Sequence, residues 1–312
     1  MAITKISTRD MTRDDWLRHR SQTIGGSDAA AILGLNNWSS PYSVWAEKTG
    51  ILPIKEDNEA MRQGRDLEQY VAERFCEKTG KKVRRINAII SNDMYPFAHA
   101  NIDRDIIGED AGLECKTTSV MNLRQFRNGE YPANYYVQCV HYMAVTGAQK
   151  WYLAVLVLGR DFMVYEIQRD ESEITALMQA EIEFWKLVKN NTPPPADGSR
   201  ATSEAVSAVF PAAHEDTVDL FGVDTIVQSY LDAKERRNLI DTEIDEYENK
   251  IKINLGEAEY GITNIAKISW KNQTRTSFDK ELFSLHYPDI DLSKFQKKTQ
   301  SRVFKVTKFK EA

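Results

Sequence analysis

Apolar side chains recur at three- and four-residue steps in some stretches of the chain and alternate in others, and the two periods separate helices from strands. Helical spacing covers 16–20, 27–33, 41–49, 59–79, 134–145 and 173–188, whereas KKVRRINAII, PFAHANID, GLECKTT, KWYLAVLVLG and DFMVYEIQ read as strands. Helices come first, followed by strands crossed by one helix. That order predicts an α/β fold, a central mixed sheet packed by helices on both faces. After the 173–188 helix comes NNTPPPADGS, where consecutive prolines end any helix and stiffen the exit. A first domain is therefore expected over 1–192, with 193–222 a linker holding at most one short helix. From 223 to 255 the chain lacks Gly and Pro. Ile226, Tyr230, Ala233, Ile240, Ile244, Tyr247, Ile251 and Leu255 trace the stripe of a long amphipathic helix there, and Arg237 interrupts it, so a sustained coiled coil is not expected. ITNIAKISW and SRVFKVTKF alternate, which makes 223–312 a helical arm carrying a small β unit.

Composition narrows the class. The chain has 312 residues, 42% apolar and 28% charged, and no uninterrupted apolar run long enough to span a membrane. MAITKISTRDMTRDDW contains no apolar signal-peptide core, so cytoplasmic residence is expected. Cys76, Cys115 and Cys139 are read as free buried thiols: no pair has C-x-x-C spacing and a four-thiolate metal site is excluded. A net charge of −5 argues against a protein that coats nucleic acid indiscriminately, yet leaves room for a local basic groove. The last stretch, 294–312, carries seven Lys and Arg against Glu311 alone. Such a tail suits a grip on DNA or an acidic partner, and equally the protection of an edge strand.

Chemistry concentrates in HANIDRDIIGEDAGLECKTTS. FAHANID and GLECKTT, separated by turn-type residues including Gly108 and Gly112, read as a hairpin with Asp103 at the end of the first run. Glu114 and Lys116 are two apart, so strand periodicity puts both on one face. Asp103 and Glu114 can then converge as hard oxygen ligands for Mg²⁺, with Mn²⁺ as a substitute, and Lys116 can orient or deprotonate a water and hold a phosphate. Metal-assisted phosphodiester hydrolysis is the reaction implied. Solvated charges on a hairpin account for the same spacing. WLRHRSQTIGGSDAAAILG offers a second feature: a Gly25-Gly26 turn, Ser27 as N-cap, Asp28 in the first turn and Gly34 as the stop. With Arg20 nearby, that helix start can bind an anion, although a capped helix alone also explains Ser27. His99 and His141 read as structural, and Trp38, Tyr42 and Trp45 as packing residues, one of which could instead stack on a base.

Read together, these pieces resemble a known family. Gly64 and Glu68 on a helix (G-x-x-x-E), Ile102-Asp103, the Glu114-Cys115-Lys116 triplet and a helix with Tyr135 and Gln138 are similar to the restriction-endonuclease-like nuclease core. Over roughly 14–190 they resemble more closely the YqaJ-type viral recombinases, which include the lambda exonuclease. The resemblance implies Asp103 and Glu114 as metal ligands, Glu68 as a further ligand or a contact behind them, Lys116 as a catalytic residue, and Gln138 and Tyr135 beside the centre. It also aligns Trp16, Arg20 and Ser27 with the family's W-x-x-x-R…S pattern, whose arginine and serine hold a 5′-phosphate. Ile102 replaces a proline common in the family, and the chain beyond Thr192 has no counterpart in the lambda enzyme.

The implied protein is a Mg²⁺-dependent 5′-to-3′ exonuclease on linear duplex DNA, releasing mononucleotides and leaving 3′ single strands for phage-type recombination. Its implied partners are DNA ends, a single-strand annealing protein and two further copies in a homotrimeric ring. Two alternatives remain: an endonuclease or bidirectional nuclease of the same fold, and a catalytically idle DNA-end-binding scaffold. The absence of a four-cysteine set weighs against a Cas4-like relative, and the intact Asp, Glu and Lys set weighs against the scaffold.

Overall fold

Elements of the first of two units, Met1–Phe210, run in chain order β1 (Ile3–Ser7), α1 (Arg13–Ser21), β2 (Ile24–Gly25), α2 (Gly26–Ile32), α3 (Pro41–Lys48), α4 (Glu59–Thr79), β3 (Val83–Arg84), β4 (Ala88–Asn92), β5 (Ala98–His99), β6 (Arg104–Ile106), β7 (Ala111–Thr118), α5 (Ala133–Thr146), β8 (Lys150–Val157), β9 (Asp161–Gln168), α6 (Glu171–Lys189) and α7 (Arg200–Val209). This computed structural model describes residues 2–53, 58–297, 299 and 301–307. The main sheet has the order β3-β6-β7-β8-β9, with β7 and β8 parallel and the other pairs antiparallel. Parallel neighbours need a long crossover, and α5 supplies it.

Both faces of this sheet are covered, which is why β8 is apolar almost throughout. Trp151, Leu153 and Val155 pack toward α5 and α6 in a core that includes Val140, Met143, Ile174 and Met178. The alternate residues Tyr152 and Ala154 pack on the other side with Val71, Ala72 and Phe75 of α4. A third cluster joins Ile24, Ala31, Val44, Trp45 and Phe184, and so fixes α2 and α3 against α6. The expected α/β architecture with a mixed sheet flanked by helices is thus the one observed.

The hairpin carrying the candidate chemistry is framed differently from the expectation. Its strands are β6 and β7, so Asp103 stands just ahead of the first strand rather than closing a strand formed by FAHANID, of which only β5 is strand. Gly108 is the turn glycine, with φ +86°. Gly112 lies inside β7, and packing explains it: a Cβ there would sit 2.2 Å from Trp151 Cη2. β1, too polar for its sequence to announce it, pairs antiparallel with β4.

Within the expected linker, α7 buries Ala201, Thr202 and Ala205, and Thr202 Oγ1 donates to Ser40 Oγ at 2.8 Å. The second unit, Pro211–Ala312, holds α8 (Asp224–Leu255), a β10 (Tyr260–Ile262) and β11 (Lys267–Ser269) hairpin, and α9 (Lys280–His286). α8 is one continuous 32-residue helix, about 48 Å long. None of the described side chains of this unit is fully buried. The hairpin corresponds to ITNIAKISW; in SRVFKVTKF residues 301–307 form no strand, and the rest lies outside the described residues, as do Lys298, Lys308 and Lys310 of the basic tail. Among the described residues no helix is long and apolar enough to cross a membrane.

Because the Gly112 contact is with a buried indole between two sheet strands, Gly112→Ala is expected to destabilise the first unit by about 2–3 kcal/mol in urea unfolding, against about 1 kcal/mol for Gly108→Ala, where only the turn conformation is strained.

Candidate active site

The pleat of β7 presents Glu114 and Lys116 together, and Lys116 Nζ lies 2.6 Å from Glu114 Oε1. Helix α5 crosses above them. Residues 135, 138 and 142 are three and four apart and so share one helix face. Gln138 Oε1 accepts from Lys116 Nζ at 2.8 Å, while its Nε2 donates to Glu114 Oε1 at 2.7 Å and to the Tyr142 hydroxyl at 2.8 Å. Tyr135 contributes its ring face, 5.4 Å from Lys116 Nζ. Asp103 Oδ2 accepts from the Cys115 backbone N–H at 2.7 Å, which draws its carboxyl to the middle of the Glu-Cys-Lys triplet. Asp103, Glu114 and Lys116, expected at the centre, and Gln138 and Tyr135, expected beside it, are therefore brought together.

Glu68 is placed behind them. Its carboxylate is paired with Arg104 and, at 3.4 Å, with Arg85. Arg104 is 3% exposed and also donates to Gln69 Oε1 and to the Asp103 carbonyl. Sequence reasoning missed this arginine, whose position directly after Asp103 was its only signal.

Burial dominates the electrostatics. It pushes the Asp103 carboxyl well above the usual range, with the charges of Glu114 and Glu68 adding to it, while Lys116 and the Cys115 N–H oppose. Burial likewise raises Glu114, against the pull of Lys116. For Lys116 burial works downward, but Glu114 and Asp103 outweigh it and its proton is held more tightly than usual. Burial also pushes the Cys115 and Cys139 thiols up, so neither is a ready thiolate; all three cysteines are free, Cys139 fully buried and the other two partly.

A cation placed between the two carboxyls would favour their charged forms against the burial and mutual repulsion that raise them. Glu114 Oε2 is buried and has no hydrogen-bond partner. Among the described residues no three His, Cys, Asp or Glu side chains form a closed ligand set. The hard carboxylate oxygens of Asp103 and Glu114 are of the type that suits Mg²⁺, which takes one or two carboxylates and completes its shell with water and phosphate.

A second polar group lies where α1, α2 and α3 meet. Arg20 Nη2 donates to Ser27 Oγ at 3.0 Å, and its guanidinium lies 4.9 Å from the Trp16 ring centre. Ser27 is not the N-cap. The helix begins at Gly26, its N-cap is Gly25, and Asp28 reaches back to the Gly25 N–H at 3.0 Å, which leaves the Ser27 hydroxyl for Arg20. Asp28 also pairs with Lys48 at 2.7 Å. Neither partner was singled out for this role in the sequence, because twenty residues separate them. Gly26 joins this pocket to the first centre: a Cβ there would sit 2.6 Å from Tyr142 Cε1 and 3.1 Å from Gln138 Cγ.

His99 and His141 are held in structural contacts. His99 Nδ1 bonds Thr23 Oγ1 at 2.8 Å, and the His99 ring packs against Gly25. His141 bonds the His99 carbonyl at 2.9 Å and Glu181 at 2.7 Å. A carbonyl only accepts, so His141 Nε2 carries hydrogen and a proton is shared between Nδ1 and Glu181. Trp45 is buried and Tyr42 packs on it, but Trp38 departs from the packing expectation, being 81% exposed.

Comparison with known proteins shows the family of this chain. The YqaJ-like viral recombinase domain matches residues 15–149. A Bacillus subtilis (strain 168) protein, YqaJ, is 40% identical over 301 residues, 95% of this chain and 94% of the relative. The chain belongs to the YqaJ-like viral recombinase family. Among solved structures, the alkaline exonuclease LHK-Exo from Laribacter hongkongensis has a similar fold, with a TM-score of 0.51 at 19% identity over 57% of this chain and 93% of that one. Its complex with dAMP matches equally, with a TM-score of 0.51 at 20% identity and the same coverage. The YqaJ relative therefore shares much of the chain that has no counterpart in the exonuclease.

Burial lowers the His99 imidazole from 6.5 to about 3. A depressed value means that the unfolded chain binds the extra proton first, so the contribution of neutral His99 to stability is complete above about pH 6.5 and is lost as pH falls toward 3. The unfolding free energy of the wild type is expected to drop between pH 6.5 and 5 more steeply than that of His99→Gln, by up to about 1.4 kcal/mol per pH unit, in denaturant titrations at each pH.

Proposed function

We propose that this YqaJ-family protein is a Mg²⁺-dependent deoxyribonuclease that digests one strand of linear duplex DNA from its 5′ end. It releases mononucleotides and leaves a 3′ single strand for phage-type recombination. The observation that carries this reading is the cluster of Asp103, Glu114, Lys116 and Gln138 with one buried carboxylate oxygen left unpartnered. The fold likeness to an alkaline exonuclease, whose structure is also known with dAMP, supports it.

Asp103 and Glu114 are the residues that would hold the ion, with Glu68 and Arg104 bracing them from behind. Bound there, Mg²⁺ supplies positive charge against the reacting phosphate. Lys116, held as an ammonium between Glu114 and Gln138, donates to a phosphate oxygen or to the attacking water. Gln138 keeps Lys116 and Glu114 in register, and the Tyr135 ring closes one side of the ammonium. Water oxygen adds to phosphorus, the P–O3′ bond breaks, and the proton of water ends on the leaving 3′ oxygen. The released nucleotide has a free 3′ hydroxyl and the shortened strand a new 5′-phosphate.

Arg20 and Ser27 bind that terminal phosphate. A pocket at fixed reach from the scissile bond, reset by each product, makes cleavage stepwise from the end and distinguishes an exonuclease from a nuclease that binds anywhere. In the same reading three copies form a ring around the duplex, and a single-strand annealing protein takes up the exposed strand. Net charge −5 supports retention by encirclement rather than broad adhesion.

With Mg²⁺, 5′-phosphorylated linear duplex is expected to yield mononucleotides while covalently closed circles survive. Nicked circles would point to the endonuclease, and binding without digestion to the scaffold. Lys116→Ala should lower turnover by about 10²–10³-fold in single-turnover assays and keep end binding. Arg20→Ala should chiefly lose the preference for phosphorylated over hydroxyl ends. Sedimentation equilibrium is expected to give three times the 35.7 kDa chain mass, and a monomer would remove the ring.

A further inference from the structure

The Arg20 pocket contains an anion of its own. Asp28 is 12% exposed, and its Oδ1 lies 4.0 Å from Arg20 Nη2. A carboxylate so close competes with any phosphate for the guanidinium and, if it were the only neighbour, would cancel the charge that draws a phosphate in. The opposite oxygen, Oδ2, is occupied by Lys48 Nζ at 2.7 Å and the Gly25 N–H at 3.0 Å. The Lys48 side chain is 6% exposed, too enclosed to meet a ligand itself. Its ammonium also donates to the Arg20 carbonyl at 2.7 Å, so one group holds both the carboxylate and the backbone that carries the guanidinium.

We propose that Lys48 is a positioning residue that sets the charge of this pocket: by neutralising Asp28 it leaves Arg20 free to select a 5′-phosphate. The inference rests on the reading of Arg20 and Ser27 as the end pocket, and deepens it. Counting Arg20, Lys48 and Asp28, the pocket is a net single cation, with the exposed charge on the side chain that also contacts Ser27. Lys48 reaches the pocket from the end of α3, whose Val44, Trp45 and Ala46 are buried, so a rigid element delivers it. Burial works to raise Asp28, yet Lys48 and Arg20 overcome it and its carboxyl stays well below the usual range. The carboxylate therefore stays charged and needs its counter-ion at any working pH. Stacked on Trp16 and bonded to Ser27, Arg20 is then oriented with only a 4.0 Å contact to Asp28, whose closer partner is Lys48 at 2.7 Å.

The test is fluorescence anisotropy of the full chain with 5′-phosphoryl and 5′-hydroxyl duplexes in EDTA, read as the ratio of the two dissociation constants. Lys48→Met leaves Asp28 to capture Arg20, and is expected to lower the wild-type ratio about tenfold. Asp28→Asn combined with Lys48→Met removes both charges and restores the single cation, so its ratio is expected to return to within about threefold of the wild type. A purely structural Lys48 predicts the opposite for the double variant, which still lacks the bond to the Arg20 carbonyl. An unchanged ratio in Lys48→Met, or a double variant as deficient as the single, overturns the proposal. Should Lys48→Met fail to fold, the double variant alone decides between restoration and loss. A wild type that binds both ends equally would overturn the end pocket itself, a result distinct from a wild-type preference that survives Lys48→Met.

Discussion

Two carboxyl groups, buried Glu114 and half-buried Asp103, lie within reach of one another, and much of the surrounding structure answers that expense. Burying a carboxylate costs several kcal/mol unless donors and counter-charges meet it. Here the compensation is local and directional: the Cys115 N–H for Asp103, and the Lys116 ammonium and Gln138 amide for Glu114. Lysine two residues after glutamate is the shortest route to an ammonium on the same strand face. What stays unmet is one oxygen of Glu114, which is buried without a hydrogen-bond partner.

Helix α5 is the shared wall of both polar groups. Gln138 faces the carboxylates and donates to Tyr142, and the Tyr142 ring fills the space left by the missing side chain of Gly26, one residue before Ser27. Behind this contact, His141 ties α5 to α6 through Glu181 and to the segment before β6 through the His99 carbonyl. A reaction that depends on distance between a bound end and a scissile bond needs such a rigid spacer, since small displacements of reacting groups cost large factors in rate.

The second unit is built on another principle. α8 buries no side chain, and its continuity rests on helix formers and on i,i+4 ion pairs such as Arg237–Asp241, Lys250–Glu246 and Lys252–Glu248. Each pair contributes only tenths of a kcal/mol, so the stabilisation is spread along the helix instead of concentrated in a core. Similarity to YqaJ extends over 95% of the chain, against 57% for the LHK-Exo fold.

Much of the molecule was legible in the chain because it is encoded by local periodicity. The apolar run of β8 announced a strand covered on both faces, the prolines after α6 its end, and the two-residue spacing of Glu114 and Lys116 their common face. Hairpin spacing put Asp103 within reach of them, and the resemblance to the family added the pairing of Arg20 with Ser27. Other features have no local signature. Whether Gly112 served a turn or a strand depended on Trp151, thirty-nine residues away, and whether Ser27 capped its helix depended on the helix starting one residue earlier, with Gly25 as N-cap and Asp28 reaching back to it. Lys48, Arg104 and Tyr142 are ordinary side chains until folding sets them against Asp28, Glu68 and Gln138. Residue type and spacing by themselves determined which groups could do chemistry and on which face of an element each stood. Tertiary structure alone decided which charges meet, because the electrostatic energy of a buried group is set by neighbours a few ångströms away in space, wherever they lie along the chain.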